Sequence, residues 1–243
     1  MRRKIFAALA ICGMLGVSSA YAAVVDLVNG DSGTINGAIF EWTPEQPTGT
    51  GVIEPFVRIQ ANGTESGFNT SAVPVPLDGK AGTWTHDLLL SDVPVVDVGG
   101  TSYLQFLLDI NQDNAEGDNL LTMHLFQIYL GASGGATNVA GLGTLIYDMG
   151  AGNSVELDYD RNTGSGSGDM FAYVPTSLIT GTNTFLYLYS AFGSPNASND
   201  GFEEWAVIGQ PTPPPIPEPG TMILLGAGFL CLAIYGKRRS NNA

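Results

Sequence analysis

Between an apolar stretch at each end, the chain alternates short β-branched and aromatic runs with clusters of Gly, Asn, Asp, Ser and Pro. Apolar runs of about four to eight residues bounded by turn formers are the pattern of strands. Residues 35–42 (INGAIFEW), 103–110 (YLQFLLDI), 121–130 (LTMHLFQIYL), 184–189 (TFLYLY) and 202–208 (FEEWAVI) read as strands. Weaker patterns cover 55–60, 83–90, 144–148 and 155–159. Outside the termini no stretch keeps a helical period for three turns, and no fixed-period repeat argues for a solenoid or propeller. The expected fold is all-β, a single sandwich over residues 23–209, jelly-roll-like or immunoglobulin-like.

The two ends follow different rules. Arg2, Arg3 and Lys4 precede an apolar run over 5–17 and the small-x-small triplet Ala20-Tyr21-Ala22. This order of parts is that of a signal peptide, a helix over residues 1–22 removed after Ala22 by signal peptidase once the secretory translocase has engaged it. The residues around the Arg pair fit a twin-arginine signal poorly, so the general secretory route is expected. At the other end, 210–216 is a Pro-rich linker whose prolines favour an extended polyproline spacer. Pro217, Glu218, Pro219 and Gly220 follow, then an apolar run over 221–236 and the basic cluster Lys237, Arg238, Arg239. As a helix that run spans about 24 Å, short of the ~30 Å hydrocarbon core. Snorkelling basic residues and local thinning close the gap, and the basic cluster is expected to stay cytoplasmic with the domain outside.

Pro217-Glu218-Pro219-Gly220, a short apolar helix and a terminal Lys237-Arg238-Arg239 together resemble the PEP-CTERM sorting signal, here over residues 217–239. A tail of this kind is also described as an ice-binding protein C-terminal domain, which names the tail and not an activity. The resemblance implies recognition near Pro217-Glu218-Pro219 by an exosortase, a membrane transpeptidase-like enzyme, in a Gram-negative host that secretes exopolysaccharide. It further implies a membrane-anchored precursor that is then delivered to the surface or the extracellular matrix. In the body, LLDINQ, LFQIYLG, SGSGDMFAYVP and NDGFEEWAV resemble a group of PEP-CTERM surface proteins of the same arrangement, which implies one domain and no particular ligand.

Charge sharpens this picture. Of nine basic residues in the 243-residue chain, six lie in the terminal clusters. Only Arg58, Lys80 and Arg161 remain between them, against 22 acids, a formal net charge of −19. Such a domain repels nucleic acid and gathers cations, so a nucleic-acid partner is excluded. The two cysteines, Cys12 and Cys231, fall in the terminal apolar segments. The domain therefore has no disulfide, thiol nucleophile or thiolate metal site.

Calcium is the candidate cofactor. Asp109, Asn111 and Asp113, with Asp118 further on, alternate oxygen ligands after a strand, as a hard cation requires. Asn114 and Leu120 stand where an EF-hand needs Gly and Glu, so that loop type is excluded. Asp158, Asp160 and Asp169 form a second cluster around a Gly-Ser loop. Hairpin turns favour the same residue types for backbone reasons alone.

Other chemistry is thinner. Gly131-Ala132-Ser133-Gly134-Gly135 fits G-x-S-x-G, but a hydrolase elbow needs a helix next and a later His, and both His86 and His124 come earlier. Each histidine stands alone, without ligands for zinc. Glu203 and Glu204 adjoin Trp205; on a strand they point to opposite faces, with Trp205 on the side of Glu203, and the pair reads as a solvated edge strand. Trp42, Trp84 and Trp205 with the tyrosines are the candidates for a sugar-stacking face. Thr83-Trp84-Thr85 and Thr182-Asn183-Thr184 are too isolated for an ice-binding array. The expectation is a non-catalytic exported surface or matrix protein associated with exopolysaccharide or biofilm. A calcium-dependent carbohydrate-binding module is the alternative, and a glycoside-active enzyme the remaining one.

Overall fold

The computed structural model describes residues 22–43, 54–112, 118–164, 167–199 and 201–208. Residues 1–21 of the signal segment, including Ala20, the linker, the apolar 221–236 run, the sorting tail and Asp113 lie outside the described residues. Among the described residues no helix is long and apolar enough to cross a membrane.

The strands in chain order are β1 (Val24–Asp26), β2 (Ser32–Ile35), β3 (Ala38–Trp42), β4 (Glu54–Ile59), β5 (Asn62–Gly63), β6 (Glu65–Phe68), β7 (Leu88–Leu89), β8 (Val95–Val98) and β9 (Thr101–Asp109). They continue with β10 (Leu120–Gly131), β11 (Thr144–Asp148), β12 (Ser154–Asp158), β13 (Met170–Pro175), β14 (Phe185–Phe192), β15 (Ser198–Asn199) and β16 (Glu203–Val207). Four single-turn 3₁₀ segments are the helical elements among the described residues. One sheet runs β1-β12-β10-β14-β6, with β11 beside β10 and β7 beside β14. The other runs β2-β3-β13-β9-β16-β4, with β8 beside β9, and β15 pairs β5 separately. The expected all-β class holds, but seven strands in each main sheet exceed the immunoglobulin and jelly-roll templates.

Alternation explains how the sheets face each other. Along β9, Leu104, Phe106 and Leu108 enter the main core while Tyr103 and Leu107 belong to a separate cluster on the other side. Phe40 of the second sheet meets Phe126 of the first edge-on at 5.6 Å, and Trp205 meets Phe126 at 5.1 Å. Trp205 also donates through Nε1 to Ser190 Oγ at 3.0 Å, so its one polar atom is satisfied inside the core. Burying each such side chain contributes about 1.5–3 kcal/mol.

The structure corrects several expected elements. Residues 35–42 are not one strand: Asn36 (φ 50°) and Gly37 (φ 87°) make a tight turn between β2 and β3. Asn-Gly supplies the two positive φ values that a two-residue hairpin of this hand requires. Of 83–90, only Leu88–Leu89 is extended in a sheet. Six strands have no counterpart among the expected elements: β1, β5, β6, β8, β15 and the central β13, which is paired on both sides by β3 and β9.

Candidate functional site

The acids converge on one end of the second sheet. Pairing of β9 with β13 sets Met170 opposite Leu108, so Asp169 and Asp109 fall just beyond it, at the terminus of each strand. The Asp169 N–H donates to the Leu108 carbonyl at 2.8 Å, and the Ile110 N–H donates back to Asp169 Oδ2 at 2.8 Å. Asp169 Oδ1 is buried with no hydrogen-bond partner among the described residues. Burial pushes the Asp169 carboxyl well above the usual carboxylate range, and the charges of Asp109 and Asp158 push it the same way. Two clusters far apart in sequence thus become one electrostatic neighbourhood.

The remaining predicted ligands do other work. Asp158 Oδ1 accepts from the Asp160 N–H at 2.9 Å and from Asn119 Nδ2 at 2.6 Å, capping the turn after β12. Asp160 is exposed, as is Asp118, whose carbonyl accepts from Asn199 Nδ2 at 2.8 Å. Asn111 is half-buried. Among the described residues no three His, Cys, Asp or Glu side chains come close enough together to hold a metal ion.

Sequence reasoning missed the most deeply buried pair, Glu65 and Glu203. Glu203 opens β16 and points inward beside Trp205, as alternation predicts, with 0 % of its surface exposed. The solvated-edge expectation is corrected: β16 lies between β9 and β4, and all five of its residues are buried. Glu203 Oε1 accepts from Gln112 Nε2 at 2.7 Å, and Glu65 Oε2 accepts from the Ala61 N–H at 2.6 Å. The second oxygens of both carboxyls are buried as well. Two buried carboxyls this close disfavour simultaneous ionisation, so each is held toward its neutral form. Desolvation raises both groups, and the charge of Asp109 pushes Glu203 the same way.

Glu204 projects from the other face of β16 and forms an ion pair with Arg58 of β4. The guanidinium lies 4.3 Å from the ring of Trp84 and 4.6 Å from that of Phe202. This arrangement is closed around its own cation. Glu65 and Glu203 are likewise enclosed, in contact with each other rather than spaced across a cleft as glycoside hydrolysis needs. Nearby, a depression of about 400 Å³ is lined by polar groups of Asn62, Asp118, Asn196, Ser198 and Asn199. The Asn199 N–H donates to Gln112 Oε1 at 3.2 Å, which ties its floor to Glu203.

The other candidates separate. Gly131–Gly135 runs into a 3₁₀ turn at Val139–Gly141 rather than a helix, and Gly135 N–H donates to the Asp87 carboxylate at 2.9 Å. His86 is exposed in the segment before β7, whereas His124 sits in β10 where the register shifts, with its pKa lowered by burial. The tryptophans form no row: Trp205 is in the core, Trp42 stacks under Arg161 at 4.0 Å, and Trp84 is exposed over Arg58. The row that exists is made of other residues. On the outer face of the second sheet Tyr103 and Tyr173 meet at 6.3 Å, and Tyr173 and Phe171 at 5.8 Å.

No curated protein and no solved structure matches the chain. Residues 215–239 do match a family, described as the PEP-CTERM protein-sorting motif, and they contain Pro217, Glu218, Pro219, Gly220 and the Lys237-Arg238-Arg239 cluster. With that motif behind an acidic β-sheet domain, the chain is a PEP-CTERM sorting-domain-containing protein, exported and targeted to an exosortase.

Proposed function

We propose that this protein is a non-catalytic surface or matrix component whose β-sandwich is delivered by its tail to exopolysaccharide or biofilm. The observation that carries the reading is the sorting motif at 215–239 behind an acidic domain. Two features support a binding rather than a catalytic role. The carboxyls with the most perturbed protonation, Glu65, Glu203 and Asp169, are sealed from solvent and cannot reach a substrate. The neighbouring depression offers amides, hydroxyl and carbonyl groups, which suit polyhydroxylated ligands.

A calcium-dependent carbohydrate-binding module is the second reading. It is favoured by the charge that Asp109 and Asp158, from two sequence clusters, place around Asp169. An anionic polymer and a domain of this charge repel each other unless a divalent cation bridges them. Calcium at a hundredfold above Kd would raise stability by about 2.7 kcal/mol. Co-sedimentation of the mature protein with purified exopolysaccharide, in chelator, in millimolar calcium and in magnesium, tests both readings. Retention in all three supports the first, and retention in calcium alone supports the second. No retention in any condition removes the polymer assignment.

A further inference from the structure

The bond that export is expected to cut lies against a prepared acceptor. Ala23 directly precedes β1, the edge strand of the first sheet, which pairs in parallel with β12, Val24 opposite Ser154. Ala22 and Ala23 are both exposed. The Ala23 N–H donates to Asn153 Oδ1 at 2.7 Å, and the Ala23 carbonyl accepts from the Ser154 N–H at 3.0 Å.

Asn153 is held in place for this contact. Its Nδ2 donates to the Met149 carbonyl, and its N–H donates to the Gly150 carbonyl at 3.3 Å. With the amide nitrogen engaged there, the amide oxygen is turned to Ala23. From the other side, Asn36 Nδ2 donates to the carbonyls of Asp148 at 2.9 Å and Met149 at 3.0 Å. The start of β1, the β2–β3 turn and the loop before β12 thus meet around a depression of about 370 Å³, whose walls include Ala22, Thr34, Asn36 and Asn153. Among the described residues no charged side chain lines it. The Asp148 carboxylate, on the same loop, is taken by the Gly150 N–H at 2.8 Å and Gln127 Nε2 at 3.0 Å. Asp26 and Glu156 stand opposite each other further along the β1–β12 pair.

We propose that this depression is the seat of the mature N-terminus, where the ammonium group released on Ala23 by signal-peptide cleavage is held by Asn153 Oδ1 and pins β1 to the sheet. Hydrolysis adds water across the Ala22–Ala23 bond, leaving a carboxylate on the departing Ala22 and the ammonium on Ala23. The existing bond to Asn153 then becomes charge-assisted and stronger. A cut one residue to either side would move the ammonium by about 3.8 Å, beyond hydrogen-bonding reach of that oxygen. The small-x-small triplet that sets the cut and the asparagine that receives its product therefore select the same bond. The inference rests on cleavage after Ala22 and is independent of what the sandwich binds.

The test uses the exported full-length chain, purified from the envelope, beside two variants. One is Asn153→Ala; the other inserts Gly-Ser between Ala22 and Ala23, which keeps Asn153 but displaces the new terminus. The α-amine is acetylated with an N-hydroxysuccinimide ester near pH 7, and the N-terminal peptide is quantified by mass spectrometry. Holding the ammonium raises its pKa by about half a unit above the free value of about 8, so the parent should label about threefold more slowly than either variant. The raised folded value stabilises the parent fully below about pH 8, and the gain is lost as pH rises through it. The melting temperature of the parent should accordingly exceed that of the insertion variant near neutral pH, with the gap closing in alkaline buffer. Equal labelling rates in all three proteins overturn the proposal, as does a mature chain whose first residue is not Ala23. Slow labelling that persists in the insertion variant overturns it too, because the amine would then be protected without Asn153. The insertion variant carries the test should Asn153→Ala fail to fold.

Discussion

Trp205 and Glu203 stand two residues apart on one strand, point to the same side and are equally buried, each at 0 % exposure. Around Trp205 the surroundings are the aromatic core of the sandwich, with Phe126 at 5.1 Å. Around Glu203 they are Glu65, Asp109 and Gln112. One repeat of the pleat separates a region that burial stabilises from a region that burial destabilises. In the core, removing apolar area from water is favourable without further conditions. At the acidic end, the same burial is tolerable only because protons, amides and one arginine neutralise or satisfy the carboxyls.

The largest expected effect lies on the core side. Trp205→Ala should cost about 3–5 kcal/mol, through lost area and the cavity left beside Phe126. Denaturant unfolding of the domain measures it, and a loss below about 1 kcal/mol would mean that the sheets do not meet as described.

Next comes the cation at the acidic end. Arg58→Met leaves Glu204 opposite Asp109 without its ion-pair partner. The expected loss is about 2–4 kcal/mol, below that of a fully buried pair because part of the Arg58 side chain reaches solvent. Replacing Glu204 as well, with Leu, should restore most of the loss, since the stranded charge is then gone. Additive losses would show that the arginine acts only through packing against Trp84 and Phe202.

The smallest effect is the most specific. Glu203 holds its proton to higher pH in the folded chain than in the unfolded one. The folded state then binds more protons above the ordinary carboxylate range of about 4.3, so stability is full below that range and declines as pH rises through the folded value. Glu203→Gln keeps an oxygen to accept from Gln112 and carries no charge to desolvate. Its melting temperature should exceed that of the parent in mildly alkaline buffer and match it near pH 4. A uniform change at all pH values would show that burial does not raise the Glu203 carboxyl in the folded chain.

Legibility followed how local each signal was. β9, β10 and β14 were readable because long apolar runs fill both of their faces. β13 was not, because its six residues sit between a Gly-Ser loop and Pro175 and have too little length to show a period. The Asn36-Gly37 turn was readable in principle, since Asn-Gly between apolar residues marks a hairpin, but the apolar pattern runs on through it. Alternation placed Glu203 on the face of Trp205. It gave no warning that β16 is an interior strand, because adjacent glutamates look the same on a solvated edge. The meeting of Asp109 with Asp169, and of Glu65 with Glu203, is made by pairing between distant strands and leaves no mark in local sequence.

The tail rather than the sandwich decides where the protein goes: the motif at 215–239 directs an exported precursor to an exosortase. Intact-mass measurement of the protein taken from its native envelope tests this most directly. The expected species begins at Ala23 and lacks the segment beyond Pro217-Glu218-Pro219. A protein still ending at Ala243, in a host with a working exosortase, would contradict it.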